Sequence, residues 1–142
     1  MTGERVAITA AGLSFVARLE SEKAPRSADW FRGLLPYEAK ILQARWSGFA
    51  AWVPLGVDHV DVPVENATYV PPPGHLLLYP GGASEPEILF PYGSSIFTSV
   101  AGPLVGNQFL TIVDGADHLG ELGRRVQWDG AQDVSFALLV AD

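Results

Sequence analysis

Apolar and polar residues alternate along Phe15-Val16-Ala17-Arg18-Leu19-Glu20, and similar short runs return along most of the chain. A period of two is what a strand shows when one face is buried and the other is wet. It predicts Phe15, Ala17 and Leu19 facing a core, with Arg18 and Glu20 facing outward. Residues 41–46, 49–53, 59–64, 75–79, 87–90, 108–113 and 132–140 read as further strands. Residues 6–10 alternate like an edge strand, and Pro63 favours an edge for residues 59–64. Between these runs stand turn formers: Ser47-Gly48, Pro71-Pro72-Pro73-Gly74 and Pro80-Gly81-Gly82. Residues 94–106, rich in small side chains, read as loop.

Two segments break the strand pattern. Pro25 and Ser27 open a short helix in which Trp30, Phe31, Leu34 and Leu35 recur at helical spacing. Ser27 is placed to cap its first turn, Asp29 sits at the positive end of its dipole, and Pro36 stops it. A second short helix is expected from Asp117 through Arg124, its end weakened by Gly123. The sum is a mostly β fold, a closed antiparallel barrel of about eight strands with two short helices. With no internal repeat or low-complexity tract, residues 1–142 read as one domain.

Composition removes several functions. The 142 residues contain no cysteine, so disulfides, thiolate zinc sites and a cysteine nucleophile are excluded. Net charge is −7, and the nine Lys and Arg residues are scattered, with Arg124-Arg125 as the only adjacent pair. Neither nucleic acid nor an anionic membrane surface is an expected partner. No apolar run reaches the ~20 residues that cross a bilayer. Met1-Thr2-Gly3-Glu4-Arg5 lacks the pattern of a basic region followed by an apolar stretch, so no signal peptide is expected and the cytoplasm is the expected location. His59, His75 and His118 lie far apart without metal-ligand spacing, and no Gly-rich phosphate loop or Gly-x-Ser-x-Gly elbow occurs. Neither metal nor cofactor is expected.

Three segments resemble cyclophilins in the order that family has them: Ala24 to Leu34, Pro73-Gly74-His75-Leu76-Leu77-Leu78, and Gly102-Pro103 followed by Asn107-Gln108-Phe109-Leu110-Thr111-Ile112. More closely, the chain resembles a group of uncharacterised bacterial proteins with a cyclophilin-like fold. That likeness rests on Ala44-Arg45-Trp46-Ser47-Gly48, Glu65-Asn66-Ala67-Thr68, Leu78-Tyr79-Pro80-Gly81-Gly82, Glu87 to Gly93 and Gly106 to Ile112. The resemblance implies a cyclophilin-like barrel and, from the isomerase branch, an arginine near a prolyl nitrogen. Arg45 and Phe49 stand where that arginine and its aromatic companion would be, whereas the family's downstream Gln-Gly-Gly has no counterpart.

The residues themselves offer candidates for binding a small molecule. Arg45 and Trp46 pair a planar guanidinium with an indole, suited to a carboxylate, an amide or a ring. Gly81 and Gly82 permit close backbone approach between Tyr79 and Tyr92. Glu85 and Glu87, two apart, point to one side of an extended segment and can bind a cation, act as a general base or pair with Arg45. Glu65, Asn66 and Asn107 offer hydrogen bonds from loops. The leading expectation is a small-molecule binding or processing cleft on the barrel face, with Arg45 the best catalytic candidate. The alternatives are a prolyl isomerase or proline-peptide binder, and a non-catalytic homo-oligomeric module using the 6–10 edge and the tryptophans.

Overall fold

The computed structural model describes residues 3–139. Eleven strands occur in chain order: β1 (Arg5–Ala10), β2 (Leu13–Leu19), β3 (Tyr37–Gln43), β4 (Gly48–Pro54), β5 (Ala67–Thr68), β6 (His75–Tyr79), β7 (Glu87–Ser95), β8 (Thr98–Ser99), β9 (Gly102–Pro103), β10 (Gly106–Asp114) and β11 (Gln132–Leu139). Two α-helices, α1 (Pro25–Leu34) and α2 (Leu119–Trp128), complete the chain with a 3-10 turn at Ala116–His118.

Eight strands run β2-β1-β11-β3-β4-β7-β6-β10, and β10 pairs again with β2, so the antiparallel sheet closes on itself. This is the closed eight-stranded barrel with two helices that the alternation predicts. Closure leaves β1 with β11 on one side and β2 on the other. The 6–10 segment is therefore an interior strand and not an edge, because its second partner comes from the far end of the chain. Residues 59–64 alternate yet form no strand; they are held to the barrel by single contacts such as Val60 N–H to Pro80 O at 2.9 Å.

The barrel interior holds Val6, Ile8, Phe15, Ala17, Leu19, Leu76, Leu78, Ile88, Phe90 and Phe136, all nearly inaccessible. From α1, Phe31 reaches into this core edge-on to Phe109 and Phe136, with centroids 5.1 and 5.4 Å away. Pro25 occupies the first turn, where its missing N–H costs nothing. Ser27 lies inside the helix and does not cap it; the Glu65 carboxylate accepts the Ser27 N–H at 2.7 Å instead. Helix α2 continues past Gly123, whose missing side chain leaves room for the Tyr92 ring, which a Cβ there would overlap. Glu20 does not face outward: it is buried, accepting hydrogen bonds from Arg18 and the Thr111 hydroxyl.

On the outer face of β4, β7 and β6 lies a second, smaller core. Ala50, Leu77, Tyr79, Leu89, Phe97 and Leu104 cluster there with Trp52 packed against them. The 94–106 segment, which contains the β8–β9 hairpin, supplies Phe97 and Leu104 to cover this face. Burial on both faces explains why β6 and β7 read as unbroken apolar runs rather than alternating ones.

Candidate functional site

At the margin of that second core the cover is incomplete, leaving a cavity of about 140 Å³. Its lining includes Arg45 and Trp46, Trp52, Ser84 and Glu85, Glu87, and Thr98 to Val100. Each wall follows from local chemistry.

The first wall is the β3–β4 turn. Strand β3 ends at Gln43, two residues before Arg45, so Arg45 and Trp46 stand on a turn rather than a strand. Gln43 braces the turn by donating from Nε2 to Ala44 O at 3.0 Å and Gly48 O at 2.9 Å. The Ser47 hydroxyl accepts the Thr98 N–H at 3.0 Å and donates to Thr98 O at 3.2 Å, tying this turn to the β8–β9 hairpin. Arg45 Cζ lies 6.0 Å from the Trp46 ring centroid, within cation–π range.

The second wall is the loop between β6 and β7. The buried Tyr79 hydroxyl accepts the N–H groups of Ala83 at 2.9 Å and Ser84 at 3.3 Å, fixing the loop from beneath. Gly81 has φ +108°, where an L side chain is strained, and a Cβ there would come within 3.1 Å of Pro86, so glycine suits the position on both counts. Tyr79, Gly81 and Gly82 thus shape the loop that presents Ser84 and Glu85.

The floor is Glu87 beside Trp52. Glu87 opens β7 opposite Tyr79 of β6 and Pro54 of β4 and is only 9% exposed. Burial, reinforced by the negative charge of Glu85, pushes its carboxyl up to about 7. Among the described residues, no hydrogen bond or ion pair engages the Arg45, Glu85 or Glu87 side chains. The sequence-level option of an Arg45 pair with either acid is not what the structure shows.

The other candidates lie elsewhere. Tyr92 lies five positions after Glu87, an odd offset, so alternation along β7 turns Tyr92 into the barrel interior. There its hydroxyl donates to Gln43 Oε1, and burial raises it above the ordinary tyrosine range. Glu65, Asn66 and Asn107 form a separate network. Asn107, 1% exposed, accepts the Glu65 N–H at 3.0 Å and donates to Ser27 Oγ at 3.0 Å and Pro63 O at 2.8 Å. Asn66, with φ +47°, donates to Gln108 O at 2.8 Å and Gln108 Oε1 at 3.2 Å.

Sequence reasoning missed Trp52, Ser84, Thr98, Ser99 and Val100. Only Trp52 carried a signal: a large aromatic whose parity opposes Ala51 and Val53, which face the barrel interior. Beyond Trp46 the surface opens into a shallow groove edged by Val70 and Ile96, each about half exposed. Among the described residues no three His, Cys, Asp or Glu side chains are placed to hold a metal ion. No helix among them is long and apolar enough to cross a membrane.

A closed barrel carrying an outer-face cavity with two unpaired carboxylates is the class of structure these features define. The chain belongs to the family described as protein of unknown function (DUF3830), whose model matches residues 6–138. No curated protein matches it. Its fold is similar to a structure of McbB in complex with tryptophan, at TM-score 0.70 and 19% identity. That likeness covers 96% of this chain but 46% of McbB, so the chain spans about half of McbB's length. It is also similar to the solution structure of the hypothetical protein AF2241 from Archaeoglobus fulgidus, at TM-score 0.59 and 17% identity, covering 96% of this chain and 95% of that one.

Proposed function

We propose that residues 1–142 are one cyclophilin-like domain whose outer-face cavity binds or processes a small molecule. The single observation carrying this reading is Glu87: a carboxyl that is nine-tenths buried, unpartnered, and on the floor of a cavity. Placing an ionisable group in such surroundings opposes folding, and nothing in the barrel needs it there. Such a group is a mark of a functional site. Concave cavities with apolar walls and a few convergent polar groups are also where small ligands bind.

The reading extends to location and source, a bacterial cytoplasmic protein. The similar fold of McbB, captured with tryptophan, makes an amino-acid-sized ligand a reasonable class to try. Against the isomerase alternative, the surroundings of Arg45 include two carboxylates rather than a wholly apolar recess for a proline ring. The homo-oligomer alternative loses its 6–10 edge, and retains the exposed Trp46, Ile96 and Val100.

Thermal-shift screening against metabolite classes, Xaa-Pro peptides included, tests the proposal. At least one class should raise the melting temperature of the wild type, and the shift should shrink in Arg45→Ala. A melting temperature indifferent to every class would sink the reading.

A further inference from the structure

We infer that the ligand of this cavity is an organic ammonium, its charged nitrogen seated between Glu87 and Glu85 and its apolar part against Trp46 and Trp52. The inference rests on the small-molecule reading above and adds the chemical class.

Three features lead to it. First, Glu87 is nine-tenths buried, lines the cavity and has no donor among the described residues, so its oxygens are free to accept from a ligand. A carboxylate so placed is best matched by a positive hydrogen-bond donor. Second, Glu85 stands two residues away on the same cavity and adds a second negative charge without a cationic partner. Third, two indoles share the lining. Indole faces attract cations stripped of water, and they suit a carbon-bearing ammonium better than a strongly hydrated metal ion. A metal is further disfavoured because the described residues supply no third acidic or imidazole ligand.

The charged and titratable groups sharing the environment of Glu87 come from each surrounding element. They are Glu85 of the β6–β7 loop, Arg45 of the β3–β4 turn and Tyr79 of β6, while β4 contributes the uncharged Pro54 and Trp52. Arg45 is the one cation among them. It leaves room for a ligand that carries an acidic group beside its ammonium. Because burial and Glu85 hold the Glu87 proton until about pH 7, an arriving ammonium displaces that proton. Binding therefore strengthens as pH rises from 6 to 8 and releases a proton at the lower end.

A matched probe series decides the matter: 2-phenylethylamine, 2-phenylethanol and phenylacetate, which differ chiefly in charge. Binding is read from Trp fluorescence and by calorimetry in buffers of different ionisation enthalpy. The amine should bind at least tenfold more tightly than the alcohol, with the acid weakest. Glu87→Gln should erase that preference, and Glu85→Gln should reduce it with the cavity floor intact. Circular dichroism and melting of both variants establish that they are folded. If alcohol or acid binds as tightly as amine, or if all three are silent while some non-amine metabolite stabilises the protein, the ammonium assignment falls and the cleft stands. If no probe and no metabolite of any class binds, both fall.

Discussion

Two polar clusters of similar make-up sit in this barrel and end in opposite states. Around Asn107, the groups of Ser27, Pro63 and Glu65 are matched donor to acceptor, and Asn66 is matched with Gln108. Around Glu87, two carboxylates and a guanidinium share a cavity without pairing among the described residues. The first cluster joins the start of α1, the loop before β5 and β10 into one unit. At its centre the buried Asn107 amide has both its oxygen and its nitrogen engaged, so it stabilises and has little left to offer a ligand. The second leaves its bonding capacity unspent. Residue type does not separate a structural cluster from a binding one; the count of unmet hydrogen bonds does.

The comparison breaks first at Asn107. Asn107→Ala removes three hydrogen bonds at a position that is 1% exposed and strands the Glu65 N–H, the Ser27 hydroxyl and the Pro63 carbonyl. The expected loss is about 4 kcal/mol of stability, or roughly 10–15 °C in melting temperature by differential scanning calorimetry. Ligand affinity below the transition should not change. A wild-type melting temperature in this variant would mean the network is decorative.

Glu87→Gln should act in the opposite direction. In the unfolded chain the Glu87 carboxyl ionises near the ordinary carboxyl value of 4.5, whereas in the fold it holds its proton until about 7. Between those values the folded state binds more protons than the unfolded state, so this group makes stability fall as pH rises. Below about 4.5 both states are protonated and the penalty vanishes; above about 7 it is fully present. From the size of the shift the penalty is on the order of 3 kcal/mol. The neutral amide escapes it. Glu87→Gln should therefore gain stability over wild type at pH 8 by up to about 3 kcal/mol and gain almost nothing at pH 4. Parallel urea titrations at the two pH values measure this directly, and a gain independent of pH would point to a packing effect instead.

The barrel was readable because period-two alternation and turn chemistry are local. Phe15, Ala17 and Leu19 face inward as their spacing requires. What failed was long-range. Residues 6–10 look like an edge until β11 arrives from the other end of the chain. Residues 59–64 alternate like a strand, yet β6 already has β7 and β10 as neighbours. Half of the cavity was legible because Arg45-Trp46 and Glu85-x-Glu87 carry charge and aromatic character into loops. The same parity rule that predicts the strands separates Glu87 from Tyr92 by an odd number of steps. Spacing alone therefore divides those two. Ser84, Thr98, Ser99 and Val100 enter the site only through tertiary folding.

The smallest expected effect sharpens the comparison most. Arg45→Ala removes an exposed side chain that makes no ion pair or hydrogen bond among the described residues and lies in cation–π range of the Trp46 ring, itself 55% exposed. A solvent-facing cation–π contact is worth about 0.5–1 kcal/mol. Removing the one cation from a cavity with two carboxylates adds a repulsive contribution of similar small size once solvent screening is counted. The stability change should therefore stay within about 1 kcal/mol, against the several expected at Asn107. A binding residue can be lost cheaply because its partner is not part of the fold, whereas a residue of the satisfied network cannot. A much larger loss by chemical denaturation would show that Arg45 also belongs to the structural class, and the distinction between the two clusters would collapse.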